Sequence, residues 1–351
     1  MAELAEELGV SRYTVSSVVN GRARERGISQ ATVERIRQHL DERGYVPSRR
    51  ALDLRSCPKD VVGVLHCGRL YSHLTEAFNL IVDSFTESPQ RLEIMVVPSD
   101  ELEAGVRELL ARGVSQLIWL LNRPLAPQQV KPTLSPYLAR VRVVIYNYYF
   151  DYEGTADKLT EHGCHLVGVD RMGGFRRLVR LMKRLRHRVV ALPGLDAGDQ
   201  QTDVRERAFQ EIGLAAVRTG RWAGDPASHR RGRAAAAGIM RAMEAEDATA
   251  ACFYDDEDAA FAMRGLKRKG VRVPEDLSVT GFDGMPFADA LTPPLTTLRV
   301  PVERMVERVR AILGREVKGA EHRVKPELVR GASLGPAPGA QAAAGPKRST
   351  D

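Results

Sequence analysis

Short aliphatic runs alternate with amphipathic helical stretches from residue 61 onward, and the alternation occurs twice. Val61-Val-Gly-Val-Leu65 reads as a buried strand, with a helix over about 74–86 after it. Leu92–Val97, a helix over about 101–113, Gln116–Leu121 and Val141–Tyr146 extend the first series. A second series opens at Leu166-Val-Gly-Val-Asp170, with Met172-Gly-Gly174 and a helix ending near His187. It continues through Arg188–Gly194, Ala250–Tyr254 and Leu277–Asp283. Strands alternating with helices predict parallel sheets covered on both faces. Two such series predict a bilobed α/β body of two doubly wound parallel sheets, and ligands in such folds bind beyond the carboxyl ends of the strands.

The chain ahead of this body is all helical. Leu4, Ala5 and Leu8 give a first helix one apolar side. Gly9 can take the left-handed conformation that ends a helix, and Ser11 can cap the next one. Val15, Val18 and Val19 recur at helical spacing, leaving Arg12, Tyr13, Ser16 and Ser17 on or near the open face. A third capped helix runs over Ser29–Leu40, with Val33, Ile36 and Leu40 on one side, and Gly44-Tyr-Val-Pro47 stops it. Two short helices about a tight turn, then a third, form an N-terminal all-α helix-turn-helix head, whose second helix enters the DNA major groove. An ordinary helical hairpin within a core is the competing reading. Met1 already stands inside the first helix, so either the native start lies upstream or that helix frays.

The net charge of +7 suits an anionic partner. Of the 52 basic residues only nine are Lys, a bias that genome base composition also produces. Cys57, Cys67, Cys164 and Cys252 are scattered, without a Cys-x-x-Cys pair, as reduced thiols of a cytoplasmic protein are. No secretory signal and no apolar run of membrane-spanning length is present. The dispersed His give no metal-ligand spacing, and the nucleotide-binding, zinc-protease and nucleophile-elbow motifs are missing. No catalytic residue, metal or cofactor is therefore expected. A sugar-binding transport module would share the body's fold, but not a DNA-binding head.

Val10-Ser-Arg-Tyr-Thr-Val-Ser-Ser-Val-Val-Asn-Gly21 and Gly44-Tyr-Val-Pro-Ser-Arg-Arg-Ala-Leu-Asp-Leu54 carry a resemblance to the lactose-repressor (LacI) family of transcriptional regulators. Val167-Gly-Val-Asp170, Asp255-Asp256, Val273–Asp283 and Leu291–Thr297 extend it to about residue 334. The resemblance implies a head over 1–46, a hinge over 47–57, a first lobe over 58–166 and 294–322, and a second over 167–293 and 323–334. Residues 335–351, rich in Gly, Ala and Pro, read as a disordered tail.

Family layout places Arg12 and Tyr13 on base edges, where an Arg can bridge O6 and N7 of guanine. Ser17 stands where many members carry Arg. Ser11, Thr14, Ser16 and Asn20 suit phosphate contacts or caps. The loop Arg22-Ala-Arg-Glu-Arg-Gly27 is longer than usual, and reads equally as a phosphate-contacting or a solvated segment. In the hinge, Ala51 keeps the family spacing and Leu54 corresponds to the residue that pries open a minor-groove step. Arg49, Arg50 and Arg55 would grip flanking phosphates. A helix this short is marginal in water, and in the family it forms when two subunits sit on the operator.

For the effector site the resemblance implies Arg205 as a clamp on ligand hydroxyls, Asp283 as their acceptor and Trp222 as a stacking aromatic. Asp255 stands where the family usually has Asn, and Asn147 where it often has Asp. His66 and Tyr71 are placed in the first lobe's lining. The acid-free run Arg176–Arg186 reads as a solvated helix face over a Leu178–Leu181–Leu185 stripe, or as a second nucleic-acid patch. The implied function is that of a sequence-specific, cytoplasmic, DNA-binding repressor. It would be a homodimer on double-stranded operator DNA, controlled by a small sugar-like effector held between two lobes. Its dimer face would draw on the helix after residue 74 and on Asp283–Asp289. No leucine-heptad extension calls for a tetramer.

Overall fold

The computed structural model describes residues 2–19, 22–42, 61–68, 70, 72–98, 100–122, 138, 141–150, 155–194, 203–220, 229–317 and 320–339. These fall into two units, Met1–Asp60 and Val61–Asp351.

The first unit holds α1 (Ala2–Glu7), α2 (Arg12–Val19) and α3 (Gln30–Glu42). Ala5, Val15, Val18, Val33, Ile36 and Leu40 close its core, which matches the helical spacing of these residues. Gly9 adopts φ +60°, the left-handed conformation that lets the chain leave α1. Ser11 Oγ accepts from the Thr14 backbone N at 2.9 Å, capping α2. Ser29 caps α3 in the same way, accepting from Thr32 N at 3.3 Å. Arg35 donates to the Leu8 carbonyl at 3.2 Å, tying α3 to the end of α1.

The second unit contains two six-stranded sheets. Strands β1 (Val61–Cys67), β2 (Arg91–Val97), β3 (Val114–Leu120), β4 (Arg142–Tyr146), β5 (His165–Val169) and β11 (Glu321–Val324) form the first, in the order β11-β5-β4-β3-β1-β2. All its pairings are parallel. Helices α4 (His73–Thr86), α5 (Leu102–Ala111) and α6 (Ala156–Glu161) connect its strands. Side chains alternate along β1: Val62 and Val64 join the core that includes Leu74, Ala77 and Ile81 of α4. Val61 and Leu65 face the opposite core with Leu102, Val106 and Leu109 of α5.

Strands β6 (Val189–Leu192), β7 (Ala215–Arg218), β8 (Ala250–Cys252), β9 (Ser278–Asp283), β10 (Thr296–Arg299) and β12 (Glu327–Val329) form the second sheet, in the order β12-β10-β9-β8-β6-β7. Only the β10–β12 pairing is antiparallel. Helices α7 (Arg171–Arg184) and α8 (Val204–Ile212) cover one face, with Phe175, Leu178 and Phe209 in a shared core. Helices α9 (His229–Glu246) and α10 (Asp256–Arg268) cover the other, through Ile239, Ala259, Ala262 and Leu266. Helix α11 (Val302–Leu313) returns to the first lobe and packs on α4.

Three boundaries differ from the sequence expectation. Val167–Val169 belong to the first sheet, because β5 pairs there with β4 through Tyr146↔Val167. Thr296–Arg299 belong to the second, because β10 pairs with β9; the chain returns only at Val300. Arg323 and Val324 pair with Gly168 and Val169 in the first sheet. The crossings thus lie at Asp170, Val300 and Lys325–Pro326. The tail is also shorter than expected. Leu334 and Ala337 are buried, Ala337 N donates to the Leu185 carbonyl at 2.8 Å, and His187 Nε2 bonds the Gly335 carbonyl at 3.0 Å. Residues 340–351 lie outside the described residues, as does the hinge 47–57 with Arg49, Arg50, Ala51, Leu54 and Arg55.

Candidate functional site

In the head, the cap at Ser11 fixes where α2 begins, so Arg12 and Tyr13 occupy its first turn. Both are exposed, and Tyr13 is 59 % accessible. The first turn of α2 thus presents an aromatic ring and a guanidinium side by side to solvent. The Arg26 guanidinium lies 5.6 Å from the Tyr13 ring centroid and steadies it. The long loop therefore braces the exposed ring. Ser16 is half-buried on the flank of α2. Ser17 is a correction to the open face expected from the sequence. It is 6 % accessible, and its hydroxyl donates back to the Tyr13 carbonyl at 2.8 Å. It sits one turn from Tyr13 but rolls onto the core side with Val18. Thr14 Oγ1 lies 2.8 Å from Ser11 Oγ and completes the cap. Asn20 lies outside the described residues.

The second candidate site lies in the body, where the carboxyl ends of the two sheets meet. His73, the first residue of α4, lies in the first lobe, and Asp283, the last residue of β9, lies in the second. His73 Nδ1 lies 2.9 Å from Asp283 Oδ1, and Ser72 Oγ donates to Asp283 Oδ2. His73 Nε2 lies 3.3 Å from Asn147 Oδ1. Arg171 Nη2 donates to the same oxygen at 2.8 Å, while Asn147 Nδ2 donates to the Leu121 carbonyl at 2.8 Å. The Arg171 and Leu121 bonds fix which way the Asn147 amide points. Both ring nitrogens of His73 therefore face oxygen acceptors. His73, Asn147, Arg171 and Asp283 are all buried, so a chain of bonds shielded from water joins one lobe to the other.

The backbone is bent to make this chain. Asn147 has φ +61° and Asp283 φ +100°. Asn tolerates the left-handed region, but a non-glycine residue at φ +100° is strained, and such strain gathers at functional sites. Arg171 enters from the first crossing and lies 4.0 Å from the Tyr149 ring centroid. None of His73, Ser72 and Arg171 was expected from the sequence. Their signal is positional only, since each stands at the start of a helix just after a strand.

The remaining expected residues fall around this bridge. His66, the last residue but one of β1, lies edge-on to Phe78, with ring centroids 6.1 Å apart. Burial pushes its imidazole pKa below the ordinary value. Its Nδ1 is buried without a hydrogen-bond partner among the described residues. Asp255 caps α10, accepting from Asp258 N at 2.7 Å. Arg205 differs from a free clamp. Its Nε and Nη2 bond Asp203, at 2.9 and 3.3 Å. Its Nη1 donates to the Pro193 and Cys252 carbonyls at 3.0 and 2.9 Å. Burial opposes its charge, and the Asp203 carboxylate outweighs that and holds the guanidinium pKa above the ordinary value. Four of its five N–H groups are thus engaged by Asp203, Pro193 and Cys252. Tyr71 and Trp222 lie outside the described residues.

Among the described residues, no group of His, Cys, Asp and Glu could hold a metal ion, and no helix is long and apolar enough to cross a membrane.

Comparison with known proteins finds matches for both parts of the chain. Residues 1–48 match the model for bacterial regulatory proteins of the lacI family, and residues 179–334 match a periplasmic binding protein-like domain. The chain is 24 % identical over 323 residues to the HTH-type transcriptional regulator AscG of Escherichia coli (strain K12), covering 88 % of this chain and 89 % of AscG. Its fold is similar to a lac repressor dimer bound to operator and the anti-inducer ONPF, with a TM-score of 0.67 and 21 % identity over 94 % of this chain and 97 % of the repressor. It is similar also to a transcriptional regulator CelR–cellobiose complex, with a TM-score of 0.59 and 21 % identity over 95 % and 99 % of the two chains. A lacI-family head ahead of a two-lobed periplasmic-binding-like body is the organisation this chain shares with relatives named transcriptional regulators, and residues 1–48 mark it as carrying the DNA-binding head of the LacI family.

Proposed function

We propose that this regulator represses transcription as a cytoplasmic homodimer on a two-fold operator, and that a small sugar-like effector between its lobes sets its affinity for DNA. The observation that carries the effector reading is the Ser72–His73–Asp283 bridge. It joins the lobes where α/β sheets take their ligands. A polyhydroxylated molecule entering there exchanges hydroxyls for these bonds. Asp283 accepts from it, and His66 Nδ1, the Asn147 amide and Arg205 flank it. Asp255 and the Asp203–Arg205 pair hold the second lobe's rim in place. The CelR–cellobiose complex supports a sugar as the class of ligand.

In the head, Arg12 and Tyr13 read bases, and Ser11, Thr14, Ser16 and Asn20 line the phosphate side. Leu54 of the hinge opens a minor-groove step, with Arg49, Arg50 and Arg55 on the flanking phosphates and Ala51 keeping the register. Ser17, spent on the Tyr13 carbonyl, supports the helix and contacts no base. The dimer reading is supported by the edge strand β2, whose Ile94 and Val96 are 44 % and 57 % exposed. Strand edges that show apolar side chains call for a cover, and a second copy supplies one.

The effector acts only through its differential affinity for the DNA-competent and DNA-incompetent states, so operator DNA changes effector affinity by the same factor. The test titrates full-length protein onto duplexes from upstream of the neighbouring genes, with and without a panel of sugars. Binding that prefers one duplex, responds to one sugar class and loses about 1–3 kcal/mol of base discrimination in Arg12→Ala is expected. Equal binding to all duplexes at moderate salt overturns the proposal.

A further inference from the structure

We propose that the solvent face of α7 is a second surface for the phosphate backbone of duplex DNA, separate from the helix-turn-helix head.

The helix buries Met172, Phe175, Leu178, Val179 and Met182 against the second sheet. The residues left outside are Arg176, Arg177, Arg180, Lys183 and Arg184. Every long side chain on that face is cationic. Glu211 of α8 answers them, its Oε2 lying 2.6 Å from Arg176 Nε. Its carboxyl pKa is held below the ordinary value first by that hydrogen bond, with the charges of Arg176, Arg207 and Arg180 adding to it. Lys183 spends its ammonium on the Ile212 carbonyl at 2.7 Å. Arg177 reaches the Pro326 carbonyl at 3.4 Å. Arg180 and Arg184 make no hydrogen bond or ion pair among the described residues. Arg186 and Arg188, also exposed, carry the charge past the end of the helix.

A row of guanidinium groups in water suits a regular polyanion. Arg177, Arg180 and Arg184 climb the helix in steps of about 4.5 and 6 Å at 1.5 Å per residue. Backbone phosphates repeat every 3.4 Å of axis along one strand, so the row subtends a few consecutive phosphates. Guanidinium forks bond phosphate bidentately. An acidic protein surface offers no such repeat. The face is also clear of the effector cleft. The first turn of α7 lies at the crossing with Arg171, and its last turn leads into the start of β6, at the opposite end of the second sheet. A duplex held there adds sequence-indifferent affinity, and lets one protein engage a second stretch of DNA.

The test uses the full-length protein and a labelled short duplex of arbitrary sequence, followed by anisotropy from 50 to 200 mM salt. Removing two phosphate contacts in R180Q/R184Q lowers the slope of log affinity against log salt by about 2. Across that range the loss of affinity becomes about ten-fold smaller than in the wild type. R264Q/R268Q removes the same net charge from exposed positions on α10, the far side of the sheet, and leaves the slope alone. R180K/R184K retains the wild-type slope. Thermal melts confirm that each variant is folded. Equal slopes in the two glutamine variants overturn the proposal. So does an unchanged duplex slope in R180Q/R184Q accompanied by lost binding of labelled poly-glutamate, which assigns the face to an acidic polypeptide.

Discussion

Asp256 shows how much one side chain can hold in this protein. Its Oδ1 accepts from Thr297 Oγ1 at 2.6 Å, and its Oδ2 from Met285 N at 2.7 Å. It therefore joins the start of α10 to β10 and to the turn that follows Asp283. Burial pushes its carboxyl up to about 7, against the pull of those two hydrogen bonds. In the unfolded chain it titrates near 3.9. The folded state thus holds the extra proton between about pH 4 and pH 7, and stability falls as pH rises through that window. Denaturant unfolding at pH 5 and pH 8 is expected to show Asp256→Asn losing about 2–3 kcal/mol less than the wild type over the interval; equal losses would count against the assignment. At this scale the sequence was partly legible. Asp283 and Asn147 were legible from motif position and sit in the bridge. His73 was not, because its role depends on an Asp 210 residues away. The Arg205 partner was within reach, since Asp203 is two residues earlier and also caps α8. Ser17 misled because helical spacing alone does not tell an open-face serine from one that bonds its own backbone.

At the level of elements, the head was the most readable part. Gly9, Ser11 and the apolar triplets set its helices to within a residue or two. Ser11→Ala is expected to destabilise the head by about 1 kcal/mol, since Thr14 N loses its acceptor, while Ser11→Asp retains the cap. The unfolding transition of the head, followed by circular dichroism, checks both. In the body, strand positions were readable, but their sheets were not. Val167–Val169 and Thr296–Arg299 have the same aliphatic character as strands of either lobe, and only their pairing decides. Strands β7, β11 and β12, of four, four and three residues, are too short for an alternating pattern to declare them. The edge β2 leads to a prediction about assembly rather than about one residue.

On the scale of the whole molecule, the proposed dimer rests on that edge. Ile94→Asp with Val96→Asp places charges where a second subunit would cover apolar surface. The double variant is expected to sediment as a monomer and to lose operator preference, with its secondary structure intact. A dimer that survives both changes would move the interface elsewhere. The doubled α/β series made the two-lobed body legible, since each series by itself satisfies the rules for a parallel sheet. What alternation could not foretell is that the chain leaves and re-enters each lobe before either is finished. Strand β11 closes one rim of the first sheet, and β12, two residues later, closes one rim of the second. Synthesis therefore leaves both halves with an unpaired border until some 330 residues have emerged from the ribosome. The two lobes cannot mature one after the other, and a nascent chain stopped short of Glu321 offers the cell two open sheets instead of one completed lobe.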